Sequence, residues 1–363
     1  MSRVLLVCGG TGGHLAPGIA LAQALDARGK RPLLLVSGKA VDARMLARYP
    51  RLEFRRGLGR PWAGGVLGRL AFLGAGLAAL ADSLLLLLRR RPRSVVCFGG
   101  YLSLAPALVA RLLGIPVHVH EANLVPGKAV RLLARVARTV HLPRGVNLAG
   151  LPFARLRTGG FPLRAEMGPR PRAESRAALG LPAEGRCVLV VGGSQGAAAL
   201  TSWARATWPA LAASGCHLLC LTGPGGEDAT LRDGAAVARF LPFCDRMPEA
   251  YGCADLAVSR SGAGTLAELA ACGVPAVLVP YPASADDHQV ANARARERAG
   301  AALLCAERDL PGLAPRVLAL LADAAGLAAL RAGQARAHAD NGWDNLLDEV
   351  LRDLPAPREE ASR

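Results

Sequence analysis

The 363-residue sequence is poor in aromatic residues (4%), and lysine supplies only three of its 44 basic side chains. So little aromatic surface offers no stacking platform for unpaired bases, and no basic recognition helix is apparent, which argues against a nucleic-acid partner. The nine cysteines are odd in number, scattered through Val/Leu/Ala stretches, and contain no CxxC pair. A disulfide scaffold is excluded, and the thiols read as small buried hydrophobes of a reducing compartment. Arg3-Val4-Leu5-Leu6-Val7-Cys8 runs straight into glycines without the apolar core and cleavage site of a secretory signal, so the cytoplasm is the default expectation.

Acid is scarce in one half only. Residues 1–160 carry 24 Lys and Arg against 5 Asp and Glu, whereas the remainder carries 20 against 23. The net charge of +16 therefore belongs to the N-terminal part. A one-sided positive field implies a polyanionic partner: nucleic acid, an anionic membrane face or a phosphorylated substrate. What is abundant is apolar, 52% of the chain, enough to exclude disorder and, at this length, to build two packed units.

Short apolar runs ending in glycine alternate with helical spacing. Strands are expected at 4–8, 32–36, 94–98 and 115–120, with helices over 19–25 and 104–113. A Gly/Pro/Arg-rich stretch at 158–186 reads as a linker, and the pattern then restarts with strands at 187–191, 218–221, 256–259 and 276–279 and a helix from Ala197. Alternating strands and helices predict an α/β protein of two Rossmann-like, doubly wound lobes facing a cleft, with ligands outside the carboxyl ends of the strands. The expected division is a lobe over 1–160, a second over 161–340, and a C-terminal helix or tail over 341–363. Val66 to Leu88 is almost continuously apolar and ends in Arg89-Arg90-Arg91-Pro92-Arg93. By length it reaches across a bilayer. It also reads as an ordinary buried helix, or as one with one face in the core and the other, beside Trp62 and the arginines, on anionic headgroups.

Gly9-Gly10-Thr11-Gly12-Gly13-His14 follows the first strand and opens its helix. Small residues there let backbone N–H groups approach an anion. The dinucleotide fingerprint is absent, because Leu15 stands where its last glycine belongs and 32–37 ends without an acid, and no P-loop is present. The turn reads either as an anion site with His14 at its tip or as a plain tight turn. Gly192-Gly193-Ser194-Gln195-Gly196 repeats the logic, with Ser194 as a donor to phosphate. Ser261-Gly262-Ala263-Gly264-Thr265 precedes a helix carrying Glu268 and suits a diphosphate. Glu268 either completes a capping box with Thr265 or accepts the hydroxyls of a ribose. Asp286-Asp287-His288-Gln289 with Asn292 suits sugar hydroxyls, or is a solvated helix start. His118, His120 and Glu121 fit packing better than a metal site.

These motifs, in this order, resemble the two-lobed glycosyltransferases called GT-B and, within them, the MurG family. The resemblance rests on GGTGGHLAPGIALAQAL at 9–25, FGGYLSLAP at 98–106, HEANLVPGKA at 120–129, GGFPLR at 159–164, GGSQGA at 192–197, RSGAGTLAELAACGVPA at 260–276 and DDHQVANA at 286–293. It implies an inverting enzyme of peptidoglycan synthesis, needing no cofactor or metal. Such an enzyme moves N-acetylglucosamine from UDP-GlcNAc to the MurNAc 4-hydroxyl of the undecaprenyl-diphosphate acceptor lipid I, making lipid II. It also implies a peripheral protein on the cytoplasmic side of the inner membrane, with that anionic surface and cell-wall assembly proteins as partners. By the same resemblance Thr11, Gly12, Gly13 and Asn123 contact the donor sugar, and Arg164 and Ser194 its nucleotide diphosphate. Cys244 lies beside the uracil, while Ala263, Gly264, Thr265, Leu266, Ala267 and Glu268 bind diphosphate and ribose. Gln289 is the GlcNAc hydroxyl ligand, His14 the first candidate base and Glu121 the second. The sequence departs from the family at Ala122, Val130 and Phe161. Other readings are a different UDP-sugar GT-B enzyme, such as a glycolipid glycosyltransferase or a UDP-GlcNAc 2-epimerase, and a catalytically silent membrane-surface scaffold.

Overall fold

The computed structural model describes residues 4–9, 12–59, 66–152 and 155–354. They form two compact units, one of residues 1–122, 126–165 and 342–363, the other of 123–125 and 166–341. The first contains β1 (Val4–Cys8), α1 (Gly12–Asp26), β2 (Pro32–Val36), α2 (Ala40–Leu46), β3 (Glu53–Arg56) and α3 (Val66–Arg90). It continues with β4 (Ser94–Cys97), α4 (Leu104–Leu112), β5 (Val117–His120), α5 (Lys128–Leu133), β6 (Thr139–Leu142) and β7 (Leu156–Thr158). The second holds α6 (Arg172–Ala178), β8 (Cys187–Val191), α7 (Ala198–Ala213), β9 (His217–Leu221), β10 (Ala229–Asp233), β11 (Ala236–Leu241) and α8 (Met247–Gly252). After them come β12 (Leu256–Ser259), α9 (Ala263–Cys272), β13 (Ala276–Leu278), α10 (His288–Arg298), β14 (Ala302–Leu304), α11 (Leu313–Ala322) and α12 (Ala324–Ala339). The last helix, α13 (Asp344–Arg352), belongs to the first unit.

Each unit is built on a seven-stranded sheet, ordered β3-β2-β1-β4-β5-β6-β7 in the first and β10-β11-β9-β8-β12-β13-β14 in the second. These are the two doubly wound sheets expected from the alternating pattern, parallel throughout except where β10 runs antiparallel to β11. The central strands are apolar on both faces because both faces are covered. Leu5 and Val7 enter one core cluster, with Val95 and Leu86; Val4, Leu6 and Cys8 enter another, with Leu15 and Ile19 of α1. In the second unit Val188 and Val190 face Trp203 and Trp208, while Cys187, Leu189 and Val191 face Tyr251 and Leu266. The period-two alternation thus sorts each strand between two cores.

The stretch 158–186 read as a linker is not structureless, since it begins on the last residue of β7 and holds α6. The apolar stretch Val66 to Leu88 lies in one helix, α3, with two faces where its side chains are described: Ala79, Ser83, Leu86 and Leu87 are buried, whereas Leu77, Leu84, Leu85 and Leu88 are exposed. That pattern rules out a helix buried on all sides. No single helix among the described residues is long and apolar enough to cross a membrane.

Candidate functional site

In the first unit the glycine turn after β1 leads into α1. Thr11, with Gly10, lies outside the described residues. Gly12 opens α1, Gly13 is exposed and His14 is half-buried. A methyl group placed on Gly99 would lie 3.3 Å from His14 Nε2, and one on Gly100 would lie 3.4 Å from Nδ1, so the imidazole rests on the turn after β4. Gly100 has φ of +76°, and a Cβ there would lie 2.3 Å from the Gly9 carbonyl oxygen. No other residue fits without moving the two loops apart. Burial lowers the His14 pKa, opposed by the charge of Glu121, a hydrogen bond to the Gly9 backbone and the charge of Asp42. At neutral pH the ring is therefore an uncharged proton acceptor.

Glu121 follows β5 and is buried. Its Oε1 accepts from Ala122 N at 2.9 Å and its Oε2 from Gly127 N at 3.1 Å, so the carboxylate shapes the following loop as well as polarising His14. At position 122 the group used is a backbone N–H, which alanine supplies as well as any residue. His118 bridges Thr139 Oγ1 (2.6 Å) and Asp353 Oδ2 (2.7 Å), and His120 Nε2 lies 2.7 Å from the Gly160 carbonyl. Both are held by protein partners, and among the described residues no group of three or more His, Cys, Asp or Glu is arranged to hold a metal. Phe161 and Arg164 are buried, the guanidinium donating to Tyr49 Oη at 3.4 Å.

The second unit gathers the other candidates at the carboxyl ends of its strands. Ser194 is exposed in the turn between β8 and α7, where Gly193 and Gly196 adopt φ of +81° and +73°. A Cβ on Gly196 would meet the Thr222 carbonyl at 2.3 Å. Cys244 is buried, which raises its thiol to about 11. It lines a pocket of about 240 Å³ with Arg239, Phe243 and Asp245.

Helix α9 is capped by Gly262 with no side-chain cap. Thr265 is the third residue inside the helix, so the capping box is not formed; Glu268 instead accepts from Tyr251 Oη at 2.9 Å. The helix opens with the N–H groups of Ala263, Gly264 and Thr265, a first turn that favours an anion. Leu266 and Ala267 are buried, and the Leu266 N–H donates to the Gly262 carbonyl at 3.0 Å, which closes the first turn. Beside this turn Gln289 accepts from Tyr281 N at 3.0 Å, and its carbonyl receives the Ser261 hydroxyl at 2.8 Å. Asp286 and Asp287 are exposed with φ of +51° and +52°, a strained entry to α10 that places Gln289 in its first turn.

Asn123, expected as a sugar contact, is part of this unit. Its Oδ1 accepts from Asn292 Nδ2 at 3.1 Å, and Asn292 also reaches the Ser261 carbonyl (3.1 Å) and Leu124 N (3.0 Å). The sequence places Asn292 in a polar cluster suited to sugar hydroxyls, without marking it as the residue that ties Asn123 to the Ser261 turn. The available signal was its place three residues after Gln289, on the same side of a helix otherwise rich in arginine. Arg260 was likewise unassigned. It is buried, donates to the Val279 and Pro280 carbonyls, and pairs with Glu307, which fixes the loop ahead of α9.

Two family models match the chain: the glycosyltransferase family 28 N-terminal domain over residues 4–142 and the glycosyltransferase family 28 C-terminal domain over 187–342. A UDP-N-acetylglucosamine–N-acetylmuramyl-(pentapeptide) pyrophosphoryl-undecaprenol N-acetylglucosamine transferase from Opitutus terrae is 43% identical over 96% of this chain and 94% of its own length. A protein of the same name from a Synechococcus strain is 36% identical, covering 98% of this chain and 99% of its own. Among solved structures, MurG of Acinetobacter baumannii superimposes with a TM-score of 0.69 at 27% identity, over 97% of this chain and all of that one.

Proposed function

The chain belongs to glycosyltransferase family 28, in its MurG branch, and from that premise we propose how it acts. It transfers N-acetylglucosamine from UDP-GlcNAc to the MurNAc 4-hydroxyl of lipid I, yielding lipid II for peptidoglycan synthesis. The observation that carries this reading is 43% identity, over 96% of the chain, to a transferase of that name.

The second unit holds the donor. The first turn of α9, with Ser194, receives the diphosphate, Glu268 the ribose, the main chain at Cys244 the uracil, and Gln289 and Asn123 the sugar. Charge builds on the leaving diphosphate as the glycosidic bond breaks, and the oriented N–H groups of the second unit stabilise it there. The first unit serves the acceptor. His14, neutral at pH 7, takes the proton of the attacking hydroxyl in a single inverting displacement. Glu121 orients the neighbouring loop and offsets the positive charge that His14 acquires.

The lipid-linked acceptor brings the protein to the cytoplasmic face of the inner membrane as a peripheral protein. Exposed leucines of α3, together with Leu108, Leu112 and Leu113 of and just after α4, lie beside exposed Arg89, Arg91, Arg93 and Arg111. Apolar side chains rimmed by arginine suit an anionic bilayer surface.

The test is transfer of labelled GlcNAc to a lipid I analogue, with and without EDTA. Wild type transfers the sugar in both, and His14→Ala lowers kcat by about 10²–10⁴ while KM for UDP-GlcNAc changes little. Because burial lowers the His14 pKa, the acid limb of the wild-type kcat profile falls below about pH 6.5 and disappears in the variant. No transfer by wild type rejects the reading, and an unchanged acid limb in His14→Ala rejects the base.

A further inference from the structure

Just beyond β13, Tyr281 offers its main-chain N–H to the side chain of Gln289, in the first turn of α10, at 3.0 Å. A main-chain N–H can only donate, so the atom it meets is the oxygen Oε1, and the orientation of an otherwise ambiguous amide is fixed. The Ser261 hydroxyl donates to the Gln289 carbonyl at 2.8 Å, which anchors the same residue from the turn ahead of α9. Among the described residues the Gln289 side chain makes no other hydrogen bond, and it is only half-buried. The Tyr281 N–H is itself held in place. One terminal nitrogen of buried Arg260 donates to the carbonyls of the two preceding residues, Val279 at 3.1 Å and Pro280 at 3.2 Å, and the other pairs with Glu307. The guanidinium also lies 5.4 Å from the centre of the Tyr281 ring.

From these bonds we infer that Arg260 is a positioning residue: it fixes the Tyr281 N–H against Gln289, which therefore meets the transferred sugar as a hydrogen-bond donor. The inference rests on the reading that the second unit binds a UDP-sugar with Gln289 at the sugar. It adds which edge of the amide addresses the ligand, and what sets that edge. With Oε1 turned to Tyr281, the side chain reaches a ligand through Nε2, and the matching atom on the sugar is an acceptor, a hydroxyl or carbonyl oxygen. An amide turned the other way would set Nε2 against the Tyr281 N–H, donor against donor.

Gln289→Glu reverses the outward edge without disturbing its anchor, because a carboxylate still accepts from Tyr281 but has no hydrogen for the sugar. Gln289→Met removes both edges. Arg260→Met removes the donor to the two carbonyls ahead of Tyr281 and leaves Gln289 as it is. The charge added by Gln289→Glu weakens any anionic ligand, so the readout is the ratio of the affinities for UDP-GlcNAc and for UDP.

Titration calorimetry on the full chain measures that ratio. It falls by about tenfold in Gln289→Glu and by a similar or smaller factor in Gln289→Met. Arg260→Met lowers it by about threefold or more in the wild-type background and leaves it unchanged in the Gln289→Met background, as expected of a residue that acts through Gln289. Should Arg260→Met fail to fold in a thermal melt, Arg260→Lys takes its place, since it keeps a charge for Glu307 without the planar fork that spans two carbonyls. A ratio unchanged or raised in Gln289→Glu overturns the donor assignment. A ratio lowered by the Arg260 variant equally in both backgrounds, or in neither, overturns the positioning role. A wild-type protein that binds neither ligand overturns instead the UDP-sugar reading beneath both.

Discussion

Asp255 shows how much one side chain holds at the start of the second sheet. Its carboxylate is fully buried and accepts from Arg172 (2.6 Å), Arg186 (3.0 Å), Arg176 (3.2 Å) and the Cys187 main chain (2.9 Å). Arg176, also fully buried, donates from its two terminal nitrogens to the carbonyls of Pro182, Ala183, Glu184 and Gly185 as well. Removing one charge of such a pair leaves the other buried without compensation. Asp255→Asn is expected to cost about 3–5 kcal/mol, read as a lower urea midpoint with an unchanged m-value. A loss below about 1 kcal/mol would show that solvent reaches the cluster. The cluster also explains why 158–186 reads as a linker. Arginine, proline and glycine ordinarily mark solvated chain, and composition does not reveal that Arg176 is inside. The site residues were legible for the opposite reason. Gly100 against Gly9, and Gly196 against Thr222, are close backbone approaches that only glycine permits, so those turns are written in residue identity. Asn292 was illegible as a hub because its partners, Leu124 and Ser261, lie 168 and 31 residues away in sequence.

At the scale of elements, the strands legible in sequence were those buried on both faces, such as β1 and β8, whose unbroken apolar runs admit few other readings. Most of the missed ones are edge strands or short, although β11, six residues long and internal to its sheet, was missed as well. β3 is Glu-Phe-Arg-Arg, largely exposed, and is a strand only because β2 lies beside it. β10 is antiparallel and half-solvated, so it lacks the parallel-strand signature. α3 is the element whose sequence left most readings open. Its buried face, Ala79, Ser83, Leu86 and Leu87, follows a helical repeat, and so does the exposed set Leu77, Leu84 and Leu88. An apolar stripe facing away from the core, with Leu112 of α4 also 84% exposed, is the feature on which the proposed membrane contact rests. The double substitution Leu84→Asp/Leu88→Asp is expected to lower sedimentation with vesicles containing anionic lipid by about tenfold or more, because each side chain, about half exposed, loses roughly 0.7–1.5 kcal/mol of apolar burial and adds like-charge repulsion. Transfer to a detergent-dispersed acceptor should survive. Wild-type sedimentation by the variant would overturn the proposal that this stripe meets a membrane.

The whole molecule is asymmetric in charge and in connectivity. The basic excess lies within residues 1–160, while the residues proposed to hold the donor lie mostly beyond them. Connectivity crosses that division once more at the end of the chain, where α13 completes the first unit. Leu346, Leu347, Val350 and Leu354 are all at least nine-tenths buried in the cluster formed by β1, β2 and α1. Asp353 pairs with His118 and Arg138, Glu349 with Arg157, and Asn345 donates to the Thr158 carbonyl, so polar bonds surround the apolar contact. Burial of four such side chains, at roughly 1.5–3 kcal/mol each, amounts to about 6–12 kcal/mol as an upper estimate. That is comparable to the whole stability of a typical domain, about 5–15 kcal/mol. Truncation after Asn341 should therefore unfold or loosen the first unit although it removes none of that unit's strands. Hydrogen exchange resolves the outcome by segment: β1, β2 and α1 are expected to lose protection by orders of magnitude, while β8 and β12, whose cores contain no residue of α13, keep theirs. Because His14 stands on α1, the truncated chain should lose transfer while still binding UDP through the second unit. Equal loss of protection in both sheets would mean that the two units fold as one cooperative block, and unchanged protection in β1 would mean that α13 adds nothing to the core it covers.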